Sequence, residues 1–334
     1  MSKIQPAKGS PYARILGVGG YRPIRVVPNE VILETIDSSD EWIRSRSGIA
    51  TRHWASPEET VAAMSVEASG KALADAGVAP EQIGAVIVST VSHFKQTPAV
   101  ATEIAHRIGA VKPAAFDISA GCAGFGYGLT LAKGMVVEGS AEYVLVIGVE
   151  RLSDLTDLED RATAFLFGDG AGAVVVGPSA EPAIGPTVWG SEGDKSETIK
   201  QTVPWDEFRA KDTAEKFPAI TQEGQAVFRW AVFEMAKVAQ QALDAAGITA
   251  DDLDVFIPHQ ANMRIIDSMV KTLKLPEHVT VARDVETTGN TSAASIPLAM
   301  ERLLATGAAK SGDTALVIGF GAGLVYAATV VTLP

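Results

Sequence analysis

Two stretches of this chain spell the same structural unit, and that repetition limits its fold more than any other feature. Lys71 to Ser89 reads KALADAGVAPEQIGAVIVS, Gln241 to His259 reads QALDAAGITADDLDVFIPH, and they align without a gap. In each, an amphipathic helix ends at a glycine (Gly77, Gly247), a short acidic turn follows, and an aliphatic run enters a strand. A second pair recurs at nearly the same offset. Leu145 to Gly148 and Leu316 to Gly319 both read LVIG, short apolar runs suited to central strands buried on both faces. A duplicated helix–strand pattern predicts two α/β halves. The division falls near Gly177-Pro178, so segments 1–178 and 179–334 are each expected to hold a largely parallel sheet covered by helices. From Glu192 to Thr221 the chain is polar and irregular, and a surface loop or lid is expected there.

Composition supports a globular chain and excludes several functions. With 334 residues, 47% apolar and 20% charged, it can bury one large core or two medium ones. No apolar stretch approaches the ~20 residues of a membrane span. The start, MSKIQPAKGSPYARILGVGG, lacks an apolar core leading to a cleavage site, so no secretory signal is expected. A single cysteine forbids an internal disulfide and fits a reducing, cytoplasmic setting. The net charge of −12, from 28 basic and 40 acidic residues, argues against nucleic acid as a general partner. An acidic partner would have to meet a local basic patch.

Three residues could carry chemistry. Cys122 lies in AAFDISAGCAGFGYGL, where a strand over Ala114 to Ile118 turns tightly into an apolar helix. A cysteine at such an elbow faces free backbone N–H groups and a helix dipole that favour the thiolate, and the glycines around it allow close backbone approach. The same residue could instead be a small buried hydrophobe. His259 ends the strand VFIPH, and its counterpart in the first half is Ser89. Substrates of open α/β sheets bind outside the carboxyl ends of strands, where a histidine can donate a hydrogen bond or move a proton, although structural histidines also occur there. Asn290 lies in TTGNTSAASIP, a turn that precedes one LVIG strand as the cysteine turn precedes the other. The two turns are therefore expected to face each other at one site, unless Asn290 is only a cap. The loop Phe320-Gly321-Ala322-Gly323 offers backbone N–H groups to an oxyanion. No glycine cluster continues as a Walker loop or dinucleotide fingerprint, and no histidine pair with acids has zinc-ligand spacing, so no metal is expected.

SAGCAGFGYGL, PHQANMRI and GNTSAAS, in that order, resemble the thiolase superfamily and most closely its β-ketoacyl-acyl-carrier-protein synthase III branch. The likeness covers essentially the whole chain, including SSDEWIRSRSGI and DRATAFLFGDGAGA. It implies an α/β thiolase-like fold in five α/β/α/β/α layers, a homodimer, and a catalytic triad of Cys122, His259 and Asn290. It implies acyl transfer from a short acetyl or branched acyl-coenzyme A to Cys122. Decarboxylative condensation with malonyl-acyl carrier protein would follow, with the backbone of Cys122, Gly321 and Ala322 as oxyanion hole. Coenzyme A is a substrate, and no cofactor is implied. The resemblance assigns coenzyme A contacts to Trp42, Arg46, Arg161, Phe228 and Asn262, and the acyl pocket to Thr97 and Phe167. Carrier-protein contacts fall to Arg229, Gln260, Ala261, Asn262, Met263, Arg264, Lys271 and Lys274. Thr97 stands where many straight-chain members carry a phenylalanine that closes the pocket across the dimer, so branched or longer primers are expected to fit. A starter-unit synthase of a polyketide pathway would share this triad. A non-catalytic acyl-coenzyme A or carrier-protein binding module would need none of it. A thiolase proper would need a second cysteine, and a hydroxymethylglutaryl-coenzyme A synthase a glutamate near the elbow; neither is found.

Overall fold

The computed structural model describes residues 4–5, 7–210 and 216–334. Both repeated units fold alike. Helices Val61–Ala76 and Gly224–Ala246 each stop at a left-handed glycine, Gly77 (φ 64°) and Gly247 (φ 73°). One 3-10 turn follows each, Pro80–Gln82 and Ala250–Asp252, with the side chain of Gln82 or Asp252 accepting the backbone N–H three residues earlier. The chain then enters strands Ile83–Ser89 and Val255–Pro258.

Two five-stranded sheets result, with strands in matching order. The first runs Tyr12–Tyr21, Asp169–Ser179, Tyr143–Arg151, Ile83–Ser89, Ala114–Ile118. The second runs Val188–Ser191, Val325–Thr332, Thr314–Gly321, Val255–Pro258, Thr280–Val281. The LVIG runs occupy the central strand of each and are buried on both faces. The sheets are mixed rather than largely parallel: in each, the central strand pairs in parallel on one side and antiparallel on the other. The reason is visible in the second half, where the glycine loop after Gly321 turns the chain straight back into Val325–Thr332, and a parallel return would need a helical crossover. The first sheet ends at Ser179, and the second begins at Val188.

Alternation along the strands sets the layers. Val86, Val88, Leu145 and Ile147 face an outer layer containing Val61–Ala76 and Val100–Ile108. Ala85, Ile87, Val144 and Val146 face inward, as do Val255, Ile257, Ala315 and Val317 of the second sheet. Between them lie Phe125, Leu129, Ala132 and Val136 of helix Gly124–Glu138 and Ile296, Ala299 and Met300 of helix Ser295–Ala305. Phe256, Leu316 and Ile318 meet the last layer, helices Gly224–Ala246 and Met263–Leu273. The order is α/β/α/β/α, and its central helical layer is a core shared by both halves.

The polar stretch after Glu192 is more regular than its composition suggests. Ile199–Gln201 and Ile220–Gln222 pair as an antiparallel hairpin, and Trp205–Ala210 is a short helix. Its apolar members explain the order: Trp205 and Phe217 stack at 5.3 Å, with Phe94 5.5 Å from each. No helix among the described residues is long and apolar enough to cross a membrane.

Candidate active site

The duplicated glycines of LVIG bring the two turns together, each by admitting the other half's backbone. A Cβ on Gly148 would lie 2.1 Å from the carbonyl oxygen of Ala293, in the Asn290 turn. A Cβ on Gly319 would lie 2.9 Å from the carbonyl oxygen of Cys122. Each turn thus packs against the partner half's central strand, so Cys122 and Asn290 meet at one cavity.

Cys122 sits in the 3-10 turn Gly121–Ala123, between strand Ala114–Ile118 and helix Gly124–Glu138, as the elbow motif predicts. Gly321 lies so close that a Cβ there would be 2.8 Å from Cys122 Sγ and 3.2 Å from its backbone nitrogen. The Gly321-Ala322 backbone therefore borders the sulfur. The resting Cys122 side chain, however, is a thiol. Burial pushes Cys122 up to about 12, the nearby Glu150 carboxyl adds to this, and the Ser292 hydroxyl opposes it. The helix start does not offset the loss of water.

His259 and Asn290 are both buried and both line the cavity. The backbone N–H of His259 donates to Ile318 at 2.7 Å, holding the strand end beside the central strand. Its Nδ1 lies 2.7 Å from Ser295 Oγ, which also accepts the Gln260 N–H at 3.3 Å. The Ser295 hydroxyl can donate to Nδ1 while it accepts that N–H, an arrangement that places the imidazole proton on Nε2. Burial lowers His259 to about 3, so the ring is neutral at pH 7. Phe320 packs edge-on against it at 5.4 Å. Asn290 is stitched to the first half: its N–H donates to Leu166 O and its carbonyl accepts from Gly168 N. Its Oδ1 accepts the Ser292 N–H at 2.9 Å, so Nδ2 remains as the donor of the amide. The cavity of about 1170 Å³ is therefore furnished with one thiol from the first half and two neutral side-chain donors from the second.

The other expected contacts divide. Arg161 stacks over Trp42 at 5.0 Å and Arg46 lies 5.9 Å from the same ring, with Phe165 against its edge. Asn262 caps helix Met263–Leu273 through the Arg264 N–H and donates to Arg46 O at 3.0 Å, joining the two rim segments. Phe167 and Ala261 line the cavity. Phe228 does not: Val227 and Trp230 do, while Phe228 supports the Arg264 guanidinium at 4.9 Å. The helix turns the Phe228 side chain away from the cavity. Thr97 is exposed and lies outside the chain's own cavity, although Gln96 and Ala99 border it. Gln260 is no surface residue. Only 1% exposed, it donates to Pro258 O and Ala282 O and accepts the Val285 N–H, so it cannot meet a docking protein. Arg229, Arg264, Lys271 and Lys274 are exposed, and Met263 is half-buried.

Sequence reasoning missed Ser292, Ser295, Trp230 and Glu150. The serines lie within GNTSAAS and had a signal in that motif; Glu150 had none, because only the fold brings it to the Cys122 turn. Among the described residues, no cluster of three or more His, Cys, Asp or Glu side chains could hold a metal ion.

Residues 116–193 match the family model described as 3-oxoacyl-[acyl-carrier-protein] synthase III, and residues 243–333 match that for its C-terminal part. The chain is 87% identical to β-ketoacyl-[acyl-carrier-protein] synthase III 1 of Streptomyces coelicolor, with all of both chains covered. It is 54% identical to the mycobacterial β-ketoacyl-[acyl-carrier-protein] synthase III of Mycobacterium marinum, covering 100% of this chain and 99% of that one. Among solved structures, the priming β-ketosynthase of the R1128 polyketide biosynthetic pathway superposes with TM-score 0.97 at 47% identity, covering 100% and 99%. The 3-oxoacyl-[acyl-carrier-protein] synthase III of Aquifex aeolicus superposes with TM-score 0.87 at 38% identity, covering 96% and 99%.

Proposed function

The chain belongs to the β-ketoacyl-[acyl-carrier-protein] synthase III family of thiolase-fold condensing acyltransferases, and we propose that it joins a short acyl group from acyl-coenzyme A to malonyl-acyl carrier protein, starting fatty acid synthesis. One observation carries the reading: a half-buried cysteine shares a cavity with a histidine and an asparagine that both present neutral donors.

In the first half-reaction the Cys122 sulfur attacks the thioester carbonyl, and coenzyme A leaves as its thiol. The oxyanion of the tetrahedral intermediate forms beside the Cys122 and Gly321-Ala322 backbone, whose N–H groups serve as its donors. In the second, malonyl-acyl carrier protein loses carbon dioxide, and negative charge gathers on its thioester oxygen. His259 Nε2–H and Asn290 Nδ2–H stabilise that enolate. A neutral imidazole suits this task, because an imidazolium would surrender its proton to the enolate and quench the carbanion. The carbanion then attacks the acyl carbon on Cys122, and the sulfur departs. The thioester brings its own activation, so the proposed chemistry calls for no cofactor.

Trp42 and Arg161 provide two flat faces, now stacked on each other at 5.0 Å, which would part to take the adenine between them. The exposed Arg229, Arg264, Lys271 and Lys274 form a cationic rim for an acidic carrier protein on a chain of net charge −12. Among the described residues, strand Ala114–Ile118 is paired on one side only and is half exposed, an edge suited to a second copy in a homodimer. Thr97, exposed nearby, would then reach the partner's acyl pocket and leave room for branched primers. A priming role in a polyketide pathway is the second reading, favoured by the TM-score of 0.97 to such an enzyme.

The test is intact-mass spectrometry after mixing the protein with acetyl- or isobutyryl-coenzyme A, with Cys122→Ala as control. An acyl mass gain absent from the variant is the expected result, and added malonyl-acyl carrier protein should discharge it as 3-oxoacyl product. No adduct with either donor would return the chain to a binding role. Turnover with acetyl alone would remove the branched-primer reading, and comparison of fatty acid and polyketide carrier proteins separates the two pathways.

A further inference from the structure

Arg22 is a half-buried arginine of the first half whose guanidinium reaches into the second. It follows the edge strand Tyr12–Tyr21, and its side chain is 15% exposed. Nε donates to Thr288 Oγ1 at 3.2 Å and Nη1 to Glu301 Oε2 at 2.8 Å. Nη2 donates to Asp284 Oδ1 at 3.1 Å and to the Leu298 carbonyl at 2.8 Å. These acceptors lie on both sides of Asn290. Asp284 and Thr288 belong to the short helix Val285–Thr288 and its cap, upstream of the turn. Leu298 and Glu301 belong to helix Ser295–Ala305, downstream of it. Asp284 and Thr288 are both buried. Arg302, also on the downstream helix, meets the same two residues, with Nε 2.7 Å from Asp284 Oδ1 and Nη2 3.2 Å from Thr288 Oγ1.

We propose that Arg22 is a positioning residue for the second half-reaction: it clasps the two helices that flank the Asn290 turn and so fixes where the Asn290 amide points. The inference rests on the reading of Asn290 as a donor to the enolate. The two helices differ in how firmly they are held. Helix Ser295–Ala305 is anchored in the central layer by Ile296, Ala299 and Met300. Val285–Thr288 is a single turn, and Arg22 pins it to that anchored neighbour. Asn290 itself is tied to the first half through Leu166 O and Gly168 N, so a shift of Asp284 to Thr288 would turn the amide about those bonds. A planar guanidinium suits the clasp, because its fixed fork of donors reaches several acceptors at once. A lysine would bring one compact charge and could not span them. Cys122 lies on the other turn, whose close backbone contacts are with Gly319 and Gly321, so its acylation does not depend on Arg22. Displacing one preorganised donor slows the step that uses it.

An arginine that only stabilises the fold would predict a different pattern, because its loss would weaken both half-reactions alike. The experiment measures the two steps separately in wild type, Arg22→Ala, Arg22→Lys, Asn290→Ala and the double variant Arg22→Ala with Asn290→Ala. Rapid-quench acylation by acetyl-coenzyme A, read by intact mass, should stay near the wild-type rate in both Arg22 variants. Decarboxylation of malonyl-acyl carrier protein by the acylated enzyme is read as labelled carbon dioxide. Its kcat should fall by about ten-fold or more in both Arg22 variants, with KM little changed. The double variant should be no slower than Asn290→Ala alone, because Arg22 then has no amide left to position. Where Arg22→Ala does not fold, Arg22→Lys carries the same comparison and its own double variant. Wild-type decarboxylation in a folded Arg22 variant overturns the proposal. So do equal losses in the two steps, or losses that multiply in the double variant. Normal decarboxylation by Asn290→Ala overturns the reading of Asn290 and this inference with it. A slow Asn290→Ala beside unimpaired Arg22 variants overturns this inference alone.

Discussion

At the scale of single residues, the site is governed by loss of water. Cys122 is held as a thiol, His259 as a neutral ring, and Glu150 near the middle of its titration, each with burial as the leading cause. These shifts make folding depend on pH with opposite signs. The lowered His259 value means that the unfolded chain binds the extra proton between about 3 and 6.5, so this group destabilises the fold as pH falls. Glu150, raised from 4.5 to about 7, binds its proton in the folded state first, so its contribution is lost as pH rises through that window. Glu150→Gln removes that loss. Its melting temperature relative to wild type should climb steadily from pH 4.5 to 7, as calorimetry can measure, by about 1.4 kcal/mol in stability for each pH unit. An unchanged difference would mean that the carboxyl titrates as in the unfolded chain. Cys122, His259 and Asn290 were legible because their motifs quote their local structure: a glycine elbow, a strand end and a glycine turn. Gln260 was misread for the same reason. It stands in the recognisable PHQAN run, yet its amide is consumed by the backbones of Pro258, Ala282 and Val285.

At the scale of elements, the duplication does its work by exchange. The central strand of each half supports the other half's turn through a glycine that has no room for a Cβ. Gly148→Ala should therefore disturb Asn290, on the far half, and slow condensation more than acylation. Gly319→Ala should disturb Cys122 and slow acylation itself. Separate rates of acyl-enzyme formation and 3-oxoacyl product release distinguish these outcomes, and equal losses in both variants would deny the exchange. Both substitutions are also expected to lower the melting temperature, since backbone must shift in a packed core. The repeated strands and helices were readable from periodicity, but the antiparallel half of each sheet was not. Apolar runs look alike whichever way the neighbouring strand points, and the loop after Gly321 decides the direction.

At the scale of the whole molecule, charge and shape are unevenly distributed. The total is −12, yet Arg264, Lys271 and Lys274 stand exposed along one helix and its cap, with Arg264 next to the cavity-lining Ile265. The double variant Lys271→Glu with Lys274→Glu should raise the KM for malonyl-acyl carrier protein by ten-fold or more. Acylation by coenzyme A thioesters should change little, and added salt should narrow the gap between variant and wild type. A KM insensitive to both changes would place carrier-protein docking on another face.

The amino-acid sequence alone determined that two similar α/β halves would form, and which cysteine, histidine and asparagine would lie at turns and strand ends. Those are local properties, written in periodicity, glycine placement and short motifs. Only the tertiary structure decided which turn leans on which strand, and that burial would keep the thiol protonated and the imidazole neutral. Packing and solvent exclusion join residues far apart in the chain, and no local pattern records the water a side chain will lose.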